Sequence, residues 1–387
     1  MKYNRIFLII LDSLGIGGAK DALKYNDEGA NTLGNIIKVT NVSLPNLEKM
    51  GLLNLLENNE TQTNSYYTRG ITVSNGKDTL TGHLEMMGIK TEVPAVTFTD
   101  TGFPAELINE LEHLSGRKII GNISSSGTEI IKDLGEEHMK TGSIIVYTSA
   151  DSVLQIAAHE EIVPLDELYK ICEIARNLTL KDEWKVGRII ARPFIGTPDN
   201  FTRTSNRKDY ALNPPAKTVL DHLQNNNYDV LSIGKIKDIF NNCGITKSIK
   251  TKDNLDGIKT ILNTINTDFK GLCFANLNDF DSLYGHRRNP KGYASLIKEF
   301  DDYIPKILNN LKDDDLLIIT ADHGNDPTFK GTDHTRENVP VLIYSKKITE
   351  PKRLEDLETF ADIGATISNN FNIQAPVIGT SFLEKLK

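Results

Sequence analysis

The sequence predicts an α/β protein with a mostly parallel sheet and a smaller inserted α+β domain. Several short runs are apolar throughout rather than alternating, as expected for parallel strands that helices cover on both faces. Between them lie segments such as residues 293–311, whose apolar residues recur at helical spacing. The chain of 387 residues also exceeds what one hydrophobic core commonly serves, so two domains are expected.

Five apolar runs are predicted to be buried parallel strands of the main sheet. They are residues 6–11, 228–234, 272–277, 316–320 and 339–344. The runs come from both ends of the chain, so the two ends are expected to build one sheet together. The predicted core domain therefore comprises residues 1–97 and 216–387.

The middle of the chain, residues 98–215, is predicted to be a separate domain. Residues 117–124, 143–149 and 186–194 have the pattern of strands, and residues 161–177 that of a helix. The segment ends in the Pro-containing passage "YALNPPAKTV", which is typical of a boundary. The simplest interpretation is a small α+β domain inserted into the α/β core.

The amino-acid composition and the charge argue against several classes of function. The formal net charge of −8 gives no reason to expect nucleic acid or an anionic membrane as a partner. The three cysteines lie far apart without a Cys-x-x-Cys pair, which suits a reducing compartment. The apolar run at residues 6–11 is too short for a signal peptide, and no stretch has the roughly 18 apolar residues of a membrane span. We expect a cytoplasmic protein that acts on a small molecule and has no obligate protein partner.

Carboxylates and imidazoles follow three of the predicted strands. The six residues are Asp12, Asp281, His286, Asp322, His323 and His334. Because the carboxyl ends of parallel strands meet at one edge of a sheet, these side chains are expected to converge. Six such ligands suit two divalent metal ions better than one closed structural site. Each residue alone would more simply be a helix cap or loop residue, but the recurrence at three strand ends favours metal binding.

The remaining histidines are not part of this pattern. They lie in charged or helical surroundings, and we predict surface positions for His113, His138, His159 and His222.

A second passage, "SNGKDTLTGHLEMMG" at residues 74–88, places Asp78 and Thr79 at the start of a predicted helix. The first turn of a helix offers unpaired N–H groups that favour a phosphoryl group. A hydroxyl held there against a metal can act as a nucleophile. Taken alone, the passage is also consistent with an ordinary Asp or Thr N-cap. The spacing does not exclude Thr81 as the nucleophile, and it leaves the role of His83 open.

A third passage, residues 185–208, contains six basic residues against one acid, Asp199. Arginine binds phosphate in a bidentate manner, so this segment could hold a phosphate group that does not react, or it could be an ordinary solvated surface. Lys235, just after the run at residues 228–234, is another candidate for phosphate binding.

At these residues the sequence resembles the alkaline phosphatase superfamily of metalloenzymes, and within it the prokaryotic phosphopentomutase family. The segments "GKDTLTGHLEMMG", "VGRIIARPFIG" followed by "NFTRTSNRKDYAL", "DFDSLYGHRRN" and "TADHGNDPTFKGTDHTRENVP" resemble segments of that family in the same order. The resemblance covers essentially the whole chain. The Asp-His passage is shared across the superfamily, whereas the Thr-centred passage and the arginine segment are more specific.

The resemblance implies an alkaline-phosphatase-like core with a cap domain, and an enzyme that interconverts α-D-ribose 1-phosphate, or its 2-deoxy analogue, with the 5-phosphate. It implies two Mn²⁺ ions, one held by Asp12, Asp322 and His323 and the other by Asp281, His286 and His334. It implies that Thr79 carries the phosphoryl group and that ribose 1,5-bisphosphate or glucose 1,6-bisphosphate activates the enzyme. The substrate-binding residues that it implies are Arg188, Arg203, Lys235 and Asp151.

Two other interpretations stay open on the sequence. The first is a metal-dependent phosphatase or another phosphomutase on the same core, such as a cofactor-independent phosphoglycerate mutase. That relative usually has a longer chain and a Ser nucleophile, and both differ here. The second is a binding module for phosphorylated ligands without turnover, against which Thr79 and the full set of metal ligands argue.

Overall fold

The computed structural model describes residues 1–56, 61–149 and 152–387, which form two compact units. The core unit comprises Met1–Glu92 and Asn213–Lys387, and the inserted unit comprises Val93–Leu212. Among the described residues, none of the helices combines the length and the apolar character needed to cross a lipid bilayer.

The strands are numbered in chain order. They are β1 (Arg5–Leu11), β2 (Tyr66–Gly70), β3 (Ile119–Ser124), β4 (Ile144–Thr148), β5 (Val153–His159), β6 (Arg188–Ile195), β7 (Thr202–Arg203), β8 (Lys208–Ala211), β9 (Asp229–Ile233), β10 (Lys247–Ile249), β11 (Gly271–Leu277), β12 (Asp315–Thr320) and β13 (Val339–Tyr344).

The α-helices are numbered in the same way. They are α1 (Thr32–Thr40), α2 (Pro45–Lys49), α3 (Thr79–Met86), α4 (Ala105–Ser115), α5 (Glu129–Thr141), α6 (Leu165–Leu178), α7 (Val219–Asn225), α8 (Ile236–Ile239), α9 (Asn254–Ile265), α10 (Pro290–Asn310) and α11 (Ala361–Phe371). A π-helix spans Phe280–Gly285, and short 3-10 helices span Ala22–Tyr25, Leu53–Leu55, Asp182–Trp184 and Leu383–Lys385.

The core sheet has the strand order β10-β9-β11-β1-β12-β13-β2. The first five strands in this order pair in parallel. All residues of β1 are buried, because both faces of the sheet are covered. Arg5 enters this interior paired with Asp315, its Nε and Nη2 donating to the two carboxylate oxygens at 2.7 and 2.6 Å. A buried charge requires such a partner.

The prediction of five parallel strands is correct for four of them and wrong for the direction of the fifth. The run at residues 339–344 is β13, which pairs antiparallel with both β12 and β2. The chain returns from β12 to β13 through an irregular loop, residues 321–338, rather than through a crossover helix. Antiparallel neighbours can be joined in this way, whereas parallel neighbours need a crossover.

The inserted unit has a mixed sheet of order β3-β4-β5-β6-β7, with β8 also paired to β6. One cluster of apolar residues, which includes Trp184, packs between this sheet and α4 and α6. A second, smaller cluster joins Ile130 and Ile131 of α5 to Tyr147 and Phe194 on the sheet. The strand β5 was not predicted, because Gln155 and His159 interrupt its apolar run.

The predicted surface positions are wrong for two histidines of this unit. The side chains of His138 and His159 are buried, with relative exposures of 0% and 1%. His138 Nδ1 donates to the Ser143 carbonyl at 2.5 Å, and its Nε2 accepts from the His159 backbone N–H at 2.8 Å. A neutral imidazole whose two nitrogens are both satisfied can be buried at little cost, and sequence patterning does not reveal such partners. His113 is exposed and His222 is half-buried.

Candidate metal centre and nucleophile

Three neighbouring parallel strands deliver the predicted ligands to one edge of the core sheet. Asp12 follows β1 directly, and Asp322 and His323 begin the loop after β12. Asp281 lies in the π-helix that follows β11. The strand order β11-β1-β12 places these three strand ends side by side. The position of these four residues just after a strand, which sequence can show, therefore produces their convergence.

The first group of ligands consists of Asp12, Asp322 and His323, whose ligand atoms all lie within 4.8 Å of one another. His323 Nε2 lies 3.5 Å from Asp12 Oδ1 and 3.4 Å from Asp322 Oδ2. His323 Nδ1 faces the Gly324 carbonyl at 3.0 Å. The hydrogen therefore resides on Nδ1 in the neutral ring, and the Nε2 lone pair faces the carboxylates.

The second group consists of Asp281, His286 and His334, again with ligand atoms within 4.8 Å of one another. The imidazole Nε2 atoms of His286 and His334 lie 3.1 and 3.5 Å from the Asp281 carboxylate. His286 Nδ1 is oriented by the Thr332 carbonyl at 2.7 Å. The two groups adjoin, because the rings of His323 and His334 are 4.1 Å apart between centroids.

The chemistry of these groups fits divalent cations. Asp12 Oδ1, Asp322 Oδ2 and His334 Nε2 are buried and make no hydrogen bond within the part of the chain that is described. Burial and the nearby Asp322 and Asp281 carboxylates raise the pKa of Asp12 well above its ordinary value. Buried polar atoms without partners and crowded carboxylates are both unfavourable, and a cation relieves both. Carboxylate and imidazole donors suit first-row metals such as manganese or zinc.

Thr79 is the threonine that reaches this centre. Asp78 is the N-cap of α3, and its side chain accepts from the Thr81 backbone N–H at 3.0 Å. Thr79 Oγ1 lies 3.1 Å from His323 Nε2. Thr81 Oγ1 instead donates to Asp78 Oδ2 at 2.7 Å. Of the two threonines, Thr79 is therefore the one whose hydroxyl faces the candidate ligands.

The helix α3 lies very close to the first group of ligands. A Cβ atom on Gly82 would lie 2.1 Å from the carbonyl oxygen of Asp322, so only glycine permits this approach. His83, with 0% relative exposure, has Nδ1 2.9 Å from the Thr79 carbonyl and 3.2 Å from Asp322 Oδ2. His83 therefore connects the turn that carries Thr79 with a metal-ligand candidate, which the sequence could not show.

Two amides that orient the carboxylates were missed in the sequence. Asn276 Nδ2 donates to Asp12 Oδ2 at 2.9 Å, and Asn325 Nδ2 donates to Asp281 Oδ1 at 2.7 Å. Such outer partners fix the direction in which a ligand presents its free oxygen. For Asn276 a signal was available, since it is an amide inside the otherwise apolar strand β11.

The predicted substrate-binding residues lie in three places. Lys235 follows β9 at the same sheet edge, and its Nζ donates to Asn278 Oδ1 at 2.5 Å. Arg188 and Arg203 lie on β6 and β7 of the inserted unit. Asp151 lies outside the described residues.

A profile of the metalloenzyme superfamily matches residues 4–375. The chain belongs to the metalloenzyme superfamily. Membership implies the use of divalent metal ions, and the six carboxylate and imidazole residues described above could hold them.

Two solved structures resemble this metalloenzyme over nearly its whole length. A phosphoglycerate mutase from Leishmania mexicana is 11% identical, with 98% of this chain and 97% of that chain covered and a TM-score of 0.52. The PH0037 protein from Pyrococcus horikoshii is 14% identical, with 96% and 98% covered and a TM-score of 0.49. The superfamily match and the first structure confirm the predicted alkaline-phosphatase-like α/β fold.

Proposed function

We propose that this metalloenzyme is a phosphopentomutase that interconverts α-D-ribose 1-phosphate, or 2-deoxyribose 1-phosphate, with the corresponding 5-phosphate. The observation that carries the proposal is the 3.1 Å approach of Thr79 Oγ1 to His323 Nε2, at the first turn of a helix. A hydroxyl at a set of metal ligands is the arrangement that phosphoryl transfer through a covalent intermediate requires. Both a phosphomutase and a phosphatase would use this arrangement. The sugar substrate is inferred from the sequence segments that resemble the phosphopentomutase family.

The metal would be held by the two groups of three residues. When bound, divalent cations, for which we propose Mn²⁺, neutralise charge on a phosphoryl group and lower the pKa of a nearby hydroxyl. Residues of the chain supply the nucleophile and the donors to the phosphoryl oxygens. Thr79 is the nucleophile, and the N-terminal N–H groups of α3 can donate to the phosphoryl oxygens. His83 and Asp78 hold the first turn of α3 in place.

The proposed reaction starts from the phosphorylated Thr79. The 5-hydroxyl of ribose 1-phosphate attacks this phosphorus: its P–O5 bond forms, the P–Oγ bond breaks, and the hydroxyl proton passes to Thr79 Oγ1. The ribose 1,5-bisphosphate then reorients, and Thr79 Oγ1 attacks the phosphorus of the 1-phosphate: the P–Oγ bond forms, the P–O1 bond breaks, and the Thr79 hydroxyl proton passes to O1. Ribose 5-phosphate leaves and phospho-Thr79 is restored. A sugar bisphosphate is needed as activator because it phosphorylates Thr79 at the outset. The residues proposed to bind the substrate are Arg188, Arg203, Lys235 and Asp151.

Phosphorus NMR tests this proposal directly. Ribose 1-phosphate would be incubated with the manganese-loaded protein and a trace of glucose 1,6-bisphosphate, and the metal would be removed before recording. The proposal predicts ribose 5-phosphate without inorganic phosphate. Accumulation of inorganic phosphate would show a phosphatase, and tight binding without conversion would show a binding module. Thr79→Val, which keeps the side-chain shape without the hydroxyl, is the control.

A further inference from the structure

We propose that Arg288 is a positioning residue that sets the affinity of the second group of ligands, Asp281, His286 and His334, for its metal ion. Arg288 is not one of the six candidate ligands. It holds residues 331–333, which directly precede His334, against the turn that carries His286. This role concerns the binding of a divalent cation without substrate, so it is independent of the proposed reaction.

The first observation concerns three consecutive backbone carbonyls, which all face side chains of a single turn. Arg288 Nε donates to the Gly331 carbonyl at 2.5 Å, and Arg288 Nη2 donates to the Asp333 carbonyl at 2.8 Å. The carbonyl between them, that of Thr332, faces His286 Nδ1 at 2.7 Å. These carbonyls lie in an irregular loop, so side chains take the place of the backbone donors that a helix or sheet would provide. The contacts therefore fix the path of this loop.

The second observation is that the same guanidinium also reaches the other segments of the group. Arg288 Nη1 donates to the Gly285 carbonyl at 2.8 Å and to Asn325 Oδ1 at 2.5 Å. Asn325 Nδ2 in turn donates to Asp281 Oδ1 at 2.7 Å. One side chain thus contacts a chain neighbour of each imidazole ligand and the amide that orients the carboxylate ligand. The fixed fork of arginine donors suits such a set of acceptors, whereas the single ammonium of lysine does not.

The third observation is the backbone conformation of Arg288, whose φ is +52°. This is the left-handed region, which glycine and asparagine adopt more readily than other residues. The backbone therefore gives no reason for an arginine at this position, whereas the hydrogen bonds that its side chain donates do. Unfavourable backbone conformations persist where the surrounding contacts hold them, and they are common at functional sites.

The two groups of ligands differ in what holds them. All three residues of the first group are buried and come just after β1 and β12, whose positions the core sheet fixes. In the second group, His286 and His334 are half-buried and lie in a turn and a loop. The second group therefore depends more on a side chain that joins loops, and we expect Arg288 to affect it selectively.

The test is a titration of the full-length, metal-free protein with Mn²⁺, in which electron paramagnetic resonance measures the free ion. The unchanged protein should bind two Mn²⁺ per chain. Arg288→Lys keeps the charge but loses the fork of donors, and it should weaken the binding of one Mn²⁺ about 10- to 100-fold while the other binds as before. Arg287→Lys makes the same change at the adjacent, exposed arginine and should bind both ions like the unchanged protein.

Arg288→Gly separates positioning from folding. Glycine adopts the left-handed conformation readily, so the metal-free variant should unfold in urea at a midpoint equal to or above that of Arg288→Lys, as followed by circular dichroism. Its affinity for the second Mn²⁺ should nevertheless be as low as that of Arg288→Lys or lower. A role in folding alone would move the unfolding midpoint and the metal affinity together.

A second background identifies which ion is affected. His334→Ala removes a ligand of the second group, so the Mn²⁺ that still binds tightly should be the one at the first group. In this background Arg288→Lys should leave the remaining affinity unchanged, because the residues it positions no longer form a complete group.

Several results would overturn the proposal. If Arg288→Lys binds both ions as tightly as Arg287→Lys does, Arg288 does not position the ligands. Equal weakening of both ions, or weakening of the remaining ion in the His334→Ala background, would show that Arg288 acts on the fold rather than on the second group. Binding of one Mn²⁺ by the unchanged protein would contradict the existence of a second group.

Discussion

Thr79 and Thr81 differ in the partners of their hydroxyls, although they are two residues apart in the same turn. Thr79 Oγ1 faces His323 Nε2 at 3.1 Å, whereas Thr81 Oγ1 is used to hold Asp78. One hydroxyl is thus available for chemistry and the other stabilises the start of the helix.

Replacing Thr79 by Val should lower turnover by a factor of about 10⁴ or more, because the proposed covalent intermediate forms on the hydroxyl that Val lacks. Intact-protein mass spectrometry after incubation with glucose 1,6-bisphosphate should show one added phosphoryl group in the unchanged protein and none in Thr79→Val. Thr81→Val is the matched control, and it should keep the phosphoryl group while losing about 1 kcal/mol of stability. Phosphorylation of Thr79→Val at full yield would exclude Thr79 as the nucleophile.

His83 acts on the centre through two other residues. Its Nδ1 lies within reach of the Thr79 carbonyl and of Asp322 Oδ2. We expect His83→Ala to weaken manganese binding about 10- to 100-fold, since outer partners orient metal ligands. Electron paramagnetic resonance of free Mn²⁺ in a titration measures this affinity. The exposed His113→Ala is the control, and equal manganese affinities of the two variants would show that His83 only fills space.

Among the secondary-structure elements, the ends of strands and the start of α3 determine which side chains meet at the candidate metal centre. The sequence predicted β1, β9, β11 and β12 because each is a continuous apolar run. The convergence of the six candidate ligands could be predicted for the same reason, since each follows a strand or lies in the loop after one. The strand β5 and the direction of β13 could not, because polar partners and connections from elsewhere in the chain determine them.

We expect the contact between α5 and β5 to make the inserted unit sensitive to acid. Burial lowers the pKa of His138; its bond to the Ser143 carbonyl opposes the shift, and the charges of His159 and Arg117 add to it. The unfolded chain therefore binds a proton more readily than the folded one, so stability is complete above a pH of about 6.5 and falls as the pH drops through the folded pKa. Protonation also removes the Nε2 acceptor that the His159 N–H uses.

The fluorescence of Trp184, the only tryptophan of the chain, reports on this unit. Urea unfolding followed by this signal should show a midpoint that decreases between about pH 7 and about pH 5. In His138→Gln, which can donate and accept but does not titrate, the decrease should be smaller and the midpoint at neutral pH should be lower. The same pH dependence in His138→Gln as in the unchanged protein would contradict the assignment to His138.

In the molecule as a whole, the candidate metal ligands and the basic segment at residues 185–208 belong to different compact units. The core unit holds the six candidate metal ligands and Thr79, and the inserted unit holds Arg188, Arg192 and Arg203. The sequence could indicate that the basic segment at residues 185–208 lies apart from the strands that carry the candidate ligands. The proximity of Arg192, Arg203 and Tyr147 could not be predicted, because it depends on strand pairing and on the turn at Gly127.

In the proposed mechanism the phosphoryl group passes through Thr79 and a bisphosphate, so that each product carries the phosphate of an earlier substrate. An isotopic crossover experiment tests this most directly. Ribose 1-phosphate labelled with carbon-13 in the sugar and oxygen-18 in the phosphate would be mixed with unlabelled ribose 1-phosphate, and the ribose 5-phosphate would be analysed by mass spectrometry. The proposed mechanism predicts products with a labelled sugar and an unlabelled phosphate, and products with an unlabelled sugar and a labelled phosphate. Products of only the two parental masses would contradict it.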